Sequence, residues 1–157
     1  MKRLIANIKG VTLIELIVVL TIIAISAAIA IPNMSGWMAK MKLNAEARKV
    51  YSSFQLARSE AIKRNSDVAV RITWATNTYD SYLVSNTAIV FTPPTTMPKG
   101  FTLGPTQGAS TTWEYTSRGT FITGDEAKPF YIQNVKLPSA INKKSFIFTL
   151  GGSVSIH

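Results

Sequence analysis

Gly10-Val-Thr-Leu-Ile-Glu-Leu-Ile-Val-Val-Leu20 opens a run that stays apolar to Ile31, with Glu15 as its only charge. At about 1.5 Å rise per residue, residues 11–31 predict a helix roughly 31 Å long, close to the thickness of a bilayer's hydrocarbon core. Ahead of it stand ten residues carrying Lys2, Arg3 and Lys9 and no acid. A basic flank stays in the cytoplasm, so the rest of the chain is expected to face the other way. Glu15 is the exception inside this run. A carboxylate at mid-bilayer costs about 2.5–3.5 kcal/mol on insertion scales, and less near the end of a span. Either Glu15 snorkels to the interface, or it pairs with a cation on another subunit.

The totals fit one modest domain plus an anchor: 157 residues and a formal charge of +9. Such a charge favours nucleic acid or anionic lipid as partners and says nothing about fold. Cysteine is absent, which excludes disulfides, thiol chemistry and Cys-ligated metal. An ordinary secretory signal is the rival reading of the N-terminus, with Ala28-Ile29-Ala30 as its cleavage window. The apolar run is longer than such signals carry.

Beyond Ile31, Pro32 and Gly36 predict a kink or loose turn within one long helix, because proline removes a ladder donor and glycine weakens the helix. Ala24, Ala27 and Ala28 allow close helix approach. Trp37, Met38 and Met41 fall where an interfacial belt would lie. Leu43, Ala47, Val50, Phe54, Ala57 and Ala61 then recur at steps of three and four, one face of an amphipathic helix. Asn65-Ser66 reads as its stop, so the helix should run from Thr12 to Arg64.

Strands follow. Val68–Trp74 alternates, with Val68, Val70, Ile72 and Trp74 on one face, and residues 79–85 return after a turn. Residues 89–91, 101–103, 111–116, 130–135, 146–150 and 153–156 read as further strands. Pro93, Pro94 and Pro98 make residues 92–100 a loop, and Gly104–Ser110 is a second. Ser117-Arg118-Gly119 and Gly151-Gly152 read as turns. The order is one long helix and then strands. An antiparallel sheet needs a cover on one face, and the amphipathic half of the helix supplies it. The expected class is α+β.

The segment Lys9-Gly-Val-Thr-Leu-Ile-Glu15 resembles the class III signal of type IV pilins and pseudopilins. That resemblance implies a pilin fold: a long bent helix, half transmembrane and half amphipathic, on an antiparallel β-sheet head. It implies cutting by a prepilin peptidase between Gly10 and Val11, N-methylation of Val11, and Glu15 as the carboxylate that meets a neighbouring subunit's amine during assembly. Pro32 matches the family's usual helix kink, while Val11 stands where Phe is usual. The implied organisation is a cleaved leader over 1–10, a transmembrane and filament-core helix over 11–36, and a periplasmic head over 37–157. Within that head, the amphipathic helix covers 37–64 and the β-sheet 68–157. Phe54–Asn65 with the following hairpin, the Ser-Arg-Gly turn and the closing Gly-turn hairpin resemble H-type minor pseudopilins and FimU/FimT-type minor pilins. Such subunits help initiate or cap a type IV pilus or type II secretion pseudopilus. The implied setting is the bacterial inner membrane, single-pass. The implied partners are major and minor pilins or pseudopilins, the peptidase and the inner-membrane assembly platform.

Catalytic constellations find little support. The only histidine, His157, is the last residue, so a Ser-His-Asp site and a His-ligated metal site are not expected. Asp125-Glu126 is the only adjacent acidic pair, thin for calcium. No phosphate loop is present. No cofactor, no metal and no enzymatic activity are expected. The alternative from another class is a DNA-binding minor pilin of a DNA-uptake pilus, with Lys136, Lys143 and Lys144 as nucleic-acid contacts. The closing turn Gly151–Ser155 lacks the arginines that FimT-type DNA binders carry there.

Overall fold

Thr12 begins the first element. Its hydroxyl accepts a hydrogen bond from the Glu15 amide at 3.3 Å, and helix α1 follows over Leu13–Arg64. The computed structural model describes residues 10–104, 110–122 and 128–157, apart from the side chains of residues 30–33. The leader lysines and Arg3, most of the expected 104–110 loop and the Asp125-Glu126 pair lie outside the described residues. By its contacts the chain divides into two units, 1–37 and 38–157. The helix continues through positions 32–36. The side chain of Pro32 lies outside the described residues, and so does any kink it makes.

Within the second unit, α1 buries the face that its spacing predicts. Leu43, Ala47, Val50, Phe54, Ala57 and Ala61 are all in the core. On the exposed side, Glu60 accepts a hydrogen bond from Arg64 Nε at 2.7 Å, an i,i+4 pair that water screens. The helix stops as Asn65 turns left-handed at φ 49°. The Ser66 amide donates back to Ala61 at 3.1 Å and the Asn65 amide to Ile62 at 3.3 Å, so two terminal carbonyls are satisfied.

Among the described residues eight strands follow: β1 Val68–Thr73, β2 Thr78–Leu83, β3 Asn86–Thr96, β4 Phe101–Gly104, β5 Ser110–Tyr115, β6 Phe130–Asn134, β7 Lys143–Phe148 and β8 Val154–Ile156. They form two antiparallel sheets, ordered β3-β2-β1-β5 and β4-β6-β7-β8. The Asn77 side chain joins them. This residue sits at φ 55° in the β1–β2 turn. Its Nδ2 donates to Phe101 O at 2.7 Å, and its Oδ1 accepts from the Leu103 amide at 2.9 Å. Phe54 of α1 meets side chains from both sheets, with ring centroids 5.8 Å from Trp113, 6.0 Å from Phe130 and 5.3 Å from Phe148.

Two expectations are corrected. Residues 92–96 are strand, not loop: β3 runs through Pro93 and Pro94. Among the described residues it is an edge strand paired with β2 alone, and its register slips between Tyr79 and Leu83. A proline's missing donor is tolerated at such an edge. The Thr92 amide finds the Ser81 hydroxyl instead, at 3.0 Å. β7 also begins at Lys143 rather than residue 146, because Gln133 and Ile132 extend the ladder to Lys143 and Lys144.

Tyr115 on β5 is fully buried, and its ring stacks on Phe121 at 4.2 Å. Its hydroxyl has no hydrogen-bond partner among the described residues, and burial pushes its ionisation well above the ordinary 10.0. Tyr115→Phe removes that desolvated hydroxyl and keeps the ring. It should leave stability near neutral pH unchanged or raise it by up to about 1 kcal/mol. The sign at alkaline pH follows from the raised value. The unfolded chain ionises near pH 10 while the folded chain does not, so this group's contribution is whole below that pH and is lost above it. Urea titrations at pH 7 and pH 11 should therefore show a weaker alkaline loss in the Phe variant.

Candidate assembly site

Gly10 and Val11 are exposed ahead of α1, and Glu15 lies in its first turn. Thr12 acts as the N-cap and Glu15 occupies the third helical position, the spacing of a capping box. Only the Thr12 half of that box is formed, so the Glu15 amide is used at 3.3 Å. The Glu15 carboxylate makes no ion pair among the described residues. Its place in the first turn is favoured by the helix dipole. The sequence reading missed this local role, although a Thr-x-x-Glu ahead of an apolar run is its signal.

Around Glu15 the helix is apolar on every side. Leu13, Ile14, Leu16, Ile17, Val18, Val19, Leu20, Ile22, Ile23 and Ile25 are all at least half exposed. Such a surface is far larger than the apolar patches that soluble monomers carry. Thr21 and Ser26 conceal their hydroxyls by donating to Ile17 O at 2.6 Å and Ile22 O at 2.8 Å. Among the described residues no single helix is long and apolar enough to cross a membrane; Leu13–Ile29 and Met34–Arg64 together pass that test by length and composition.

The three lysines singled out in the head do not form one surface. Lys143 and Lys144 are neighbours on β7, so their side chains leave opposite faces of the sheet. Lys143 lies over the Tyr131 ring at 4.6 Å. Lys144 lines a cleft of about 290 Å³ with Asn44, Ala47, Arg48 and Ile156. Lys136 is exposed in the segment after β6. Among the described residues no group of three His, Cys, Asp or Glu side chains could hold a metal ion. His157 is exposed, its Nε2 at 3.3 Å from the Ser155 hydroxyl.

A family model for the type II transport protein GspH matches residues 46–136. The chain belongs to the GspH family. A model of the prokaryotic N-terminal methylation motif matches residues 5–31, which takes in Gly10, Val11 and Glu15. The fold is similar to the crystal structure of the type IV minor pilin FimU from Pseudomonas aeruginosa strain PAO1. That likeness has a TM-score of 0.50 at 14% identity and covers 80% of this chain and 90% of that one. No curated protein matches the sequence. The GspH-family chain is thus a minor pilin or pseudopilin, with the α+β pilin fold that its sequence pattern predicts. Its family is one of structural subunits that associate with other pilins in a pilus or pseudopilus. Nothing in the comparisons favours the DNA-binding alternative.

Proposed function

We propose that the chain is cut between Gly10 and Val11, that the new Val11 amine is methylated, and that Glu15 draws in the amine of a neighbouring subunit during assembly. The match of the methylation motif across these residues supports the cut. The single observation that carries the assembly role is the position of Glu15, an acid on an otherwise apolar, exposed helical surface. In lipid that charge is costly, and an opposite charge from a neighbour offsets the cost. Residues 1–10 are then the leader, 11–36 the membrane and filament-core helix, and 37–157 the periplasmic head. Pro32 gives the helix its bend. The chain spans the inner membrane once before it enters the filament. It performs no catalysis; the peptidase acts on it. Its place is at the start or tip of a pilus or pseudopilus, where the head meets other minor and major subunits and the assembly platform feeds the shaft.

Glu15→Ala tests the role. The variant should still be processed and should remain in the membrane fraction, since removal of a charge makes insertion easier. It should be depleted from sheared filaments relative to the unsubstituted chain. Equal amounts in both filament preparations would remove the pairing argument.

A further inference from the structure

Four lysines, Lys40, Lys42, Lys99 and Lys136, and no acid occupy three short segments that come together at the end of the head where the chain enters it. The segments are 38–45, 97–101 and 134–142. Hydrogen bonds hold them side by side. Asn134 Nδ2 donates to Ala39 O at 3.2 Å. The Asn134 amide donates to Asn142 O at 2.8 Å, and the Val135 amide to Gly100 O at 2.9 Å. The Lys136 amide donates to Asn134 Oδ1 at 3.0 Å. Among these lysines stand exposed apolar side chains: Met41 at 51%, Val135 at 58% and Ile141 at 47%. Lys40, Lys42, Lys99 and Lys136 are exposed in the same three segments.

We propose that this face is a lipid-contact surface, on which residues 134–142 rest against the membrane. Val135 and Ile141 enter the headgroup layer, and the lysines face anionic headgroups. The inference rests on the membrane-anchored reading above. Three observations favour lipid as the occupant. The face mixes cationic and apolar side chains, the composition that interfacial surfaces carry. Its charge has one sign, complementary to an anionic leaflet. The chain also limits how far it can stray, since Met38 lies seven residues past Ile31, about 10 Å as helix. A nucleic acid would draw on the lysines and gain nothing from exposed Val135 and Ile141. Lipid contact would seat the head before extraction, and assembly would have to lift it off.

The absence of cysteine makes a direct test simple. Single variants Val135→Cys, Ile141→Cys, Leu150→Cys and Ile23→Cys carry a fluorophore in the full-length chain, reconstituted in nanodiscs. The discs hold nitroxide lipids at shallow and deep positions, in phosphatidylcholine alone or with phosphatidylglycerol. Leu150 is the control within the head. It adjoins Gly151, whose carbonyl accepts from Arg58, and Arg58 is about 28 Å along α1 from Ala39. Labels at 135 and 141 should be quenched by shallow nitroxide, more strongly in the anionic discs, while the label at 150 stays bright. Lys99→Gln with Lys136→Gln should lower the preference for anionic discs by about fivefold for each lysine removed. If 135 and 141 are quenched no more than 150 while 23 is quenched, the head does not rest on lipid and the proposal fails alone. If 23 is also unquenched, the anchor reading fails with it. Protection of 135 and 141 by added duplex DNA, without quenching by lipid, would give the face to nucleic acid and overturn the proposal.

Discussion

Gly152→Ala should unfold the head more readily than any other single methyl addition at a described glycine, at a cost of about 3–5 kcal/mol. Gly152 sits at φ +76°, a conformation that side chains oppose, and an added Cβ would fall 1.9 Å from the carbonyl oxygen of Gly119. That neighbour is backbone, and it cannot rotate away. Gly119 itself holds φ +75°, and a Cβ added there would lie 2.7 Å from Ile62 Cδ1. The β5-side turn, the last hairpin and the end of α1 therefore close on one another through two glycines. Arg58 fastens the same corner by donating to Gly151 O at 3.0 Å. At about 4 °C per kcal/mol for a head of this size, Tm should drop by roughly 15 °C. Gly151→Ala is the control, since nothing lies within 4 Å of its added Cβ. A shift of the same size in both variants would mean that chain stiffness, not the contact with Gly119, sets the effect.

Phe54→Ala should cost the head a similar amount, about 3–5 kcal/mol, by opening a cavity at its centre. Phe54 is fully buried on α1. It joins Trp113 of one sheet to Phe130 and Phe148 of the other. Phe130 in turn stacks on Phe146 at 4.4 Å, so the cavity would open within one aromatic cluster that cannot collapse without moving both sheets. Phe54→Leu keeps most of the volume and should lose much less. Urea unfolding in detergent, followed by tryptophan fluorescence, reads both changes. Equal loss for Ala and Leu would show that the ring contacts, rather than the filled volume, hold the layers together.

The spine of this fold was legible from local pattern. The six apolar positions from Leu43 to Ala61, the stop at Asn65 and the alternation of β1 rest on periods of 3.6 and 2, and these survive in any tertiary setting. What was not legible depends on which strands become edges. Pro93 and Pro94 argue against a ladder unless the strand has a free side, and only the sheet order reveals that side. The bridge between the two sheets is Asn77, whose amide reaches Phe101 and Leu103 across more than twenty residues. At the assembly site, Gly10, Val11 and Glu15 could be named from the sequence, but the Thr12 cap passed unread. An expected strand start at residue 146 leaves Lys143 and Lys144 outside the ladder and says nothing of the face each takes. Started at residue 143, the same alternation that orders β1 places them on opposite faces.

The assembly role of Glu15 depends on an apolar helix that stays attached after the leader is removed. The intact mass of the chain purified from the membrane fraction tests this most directly. A mass that begins at Val11, with one added methyl group, is expected. A chain that still begins at Met1, or one that begins after Ala30 and has lost the helix bearing Glu15, would contradict it.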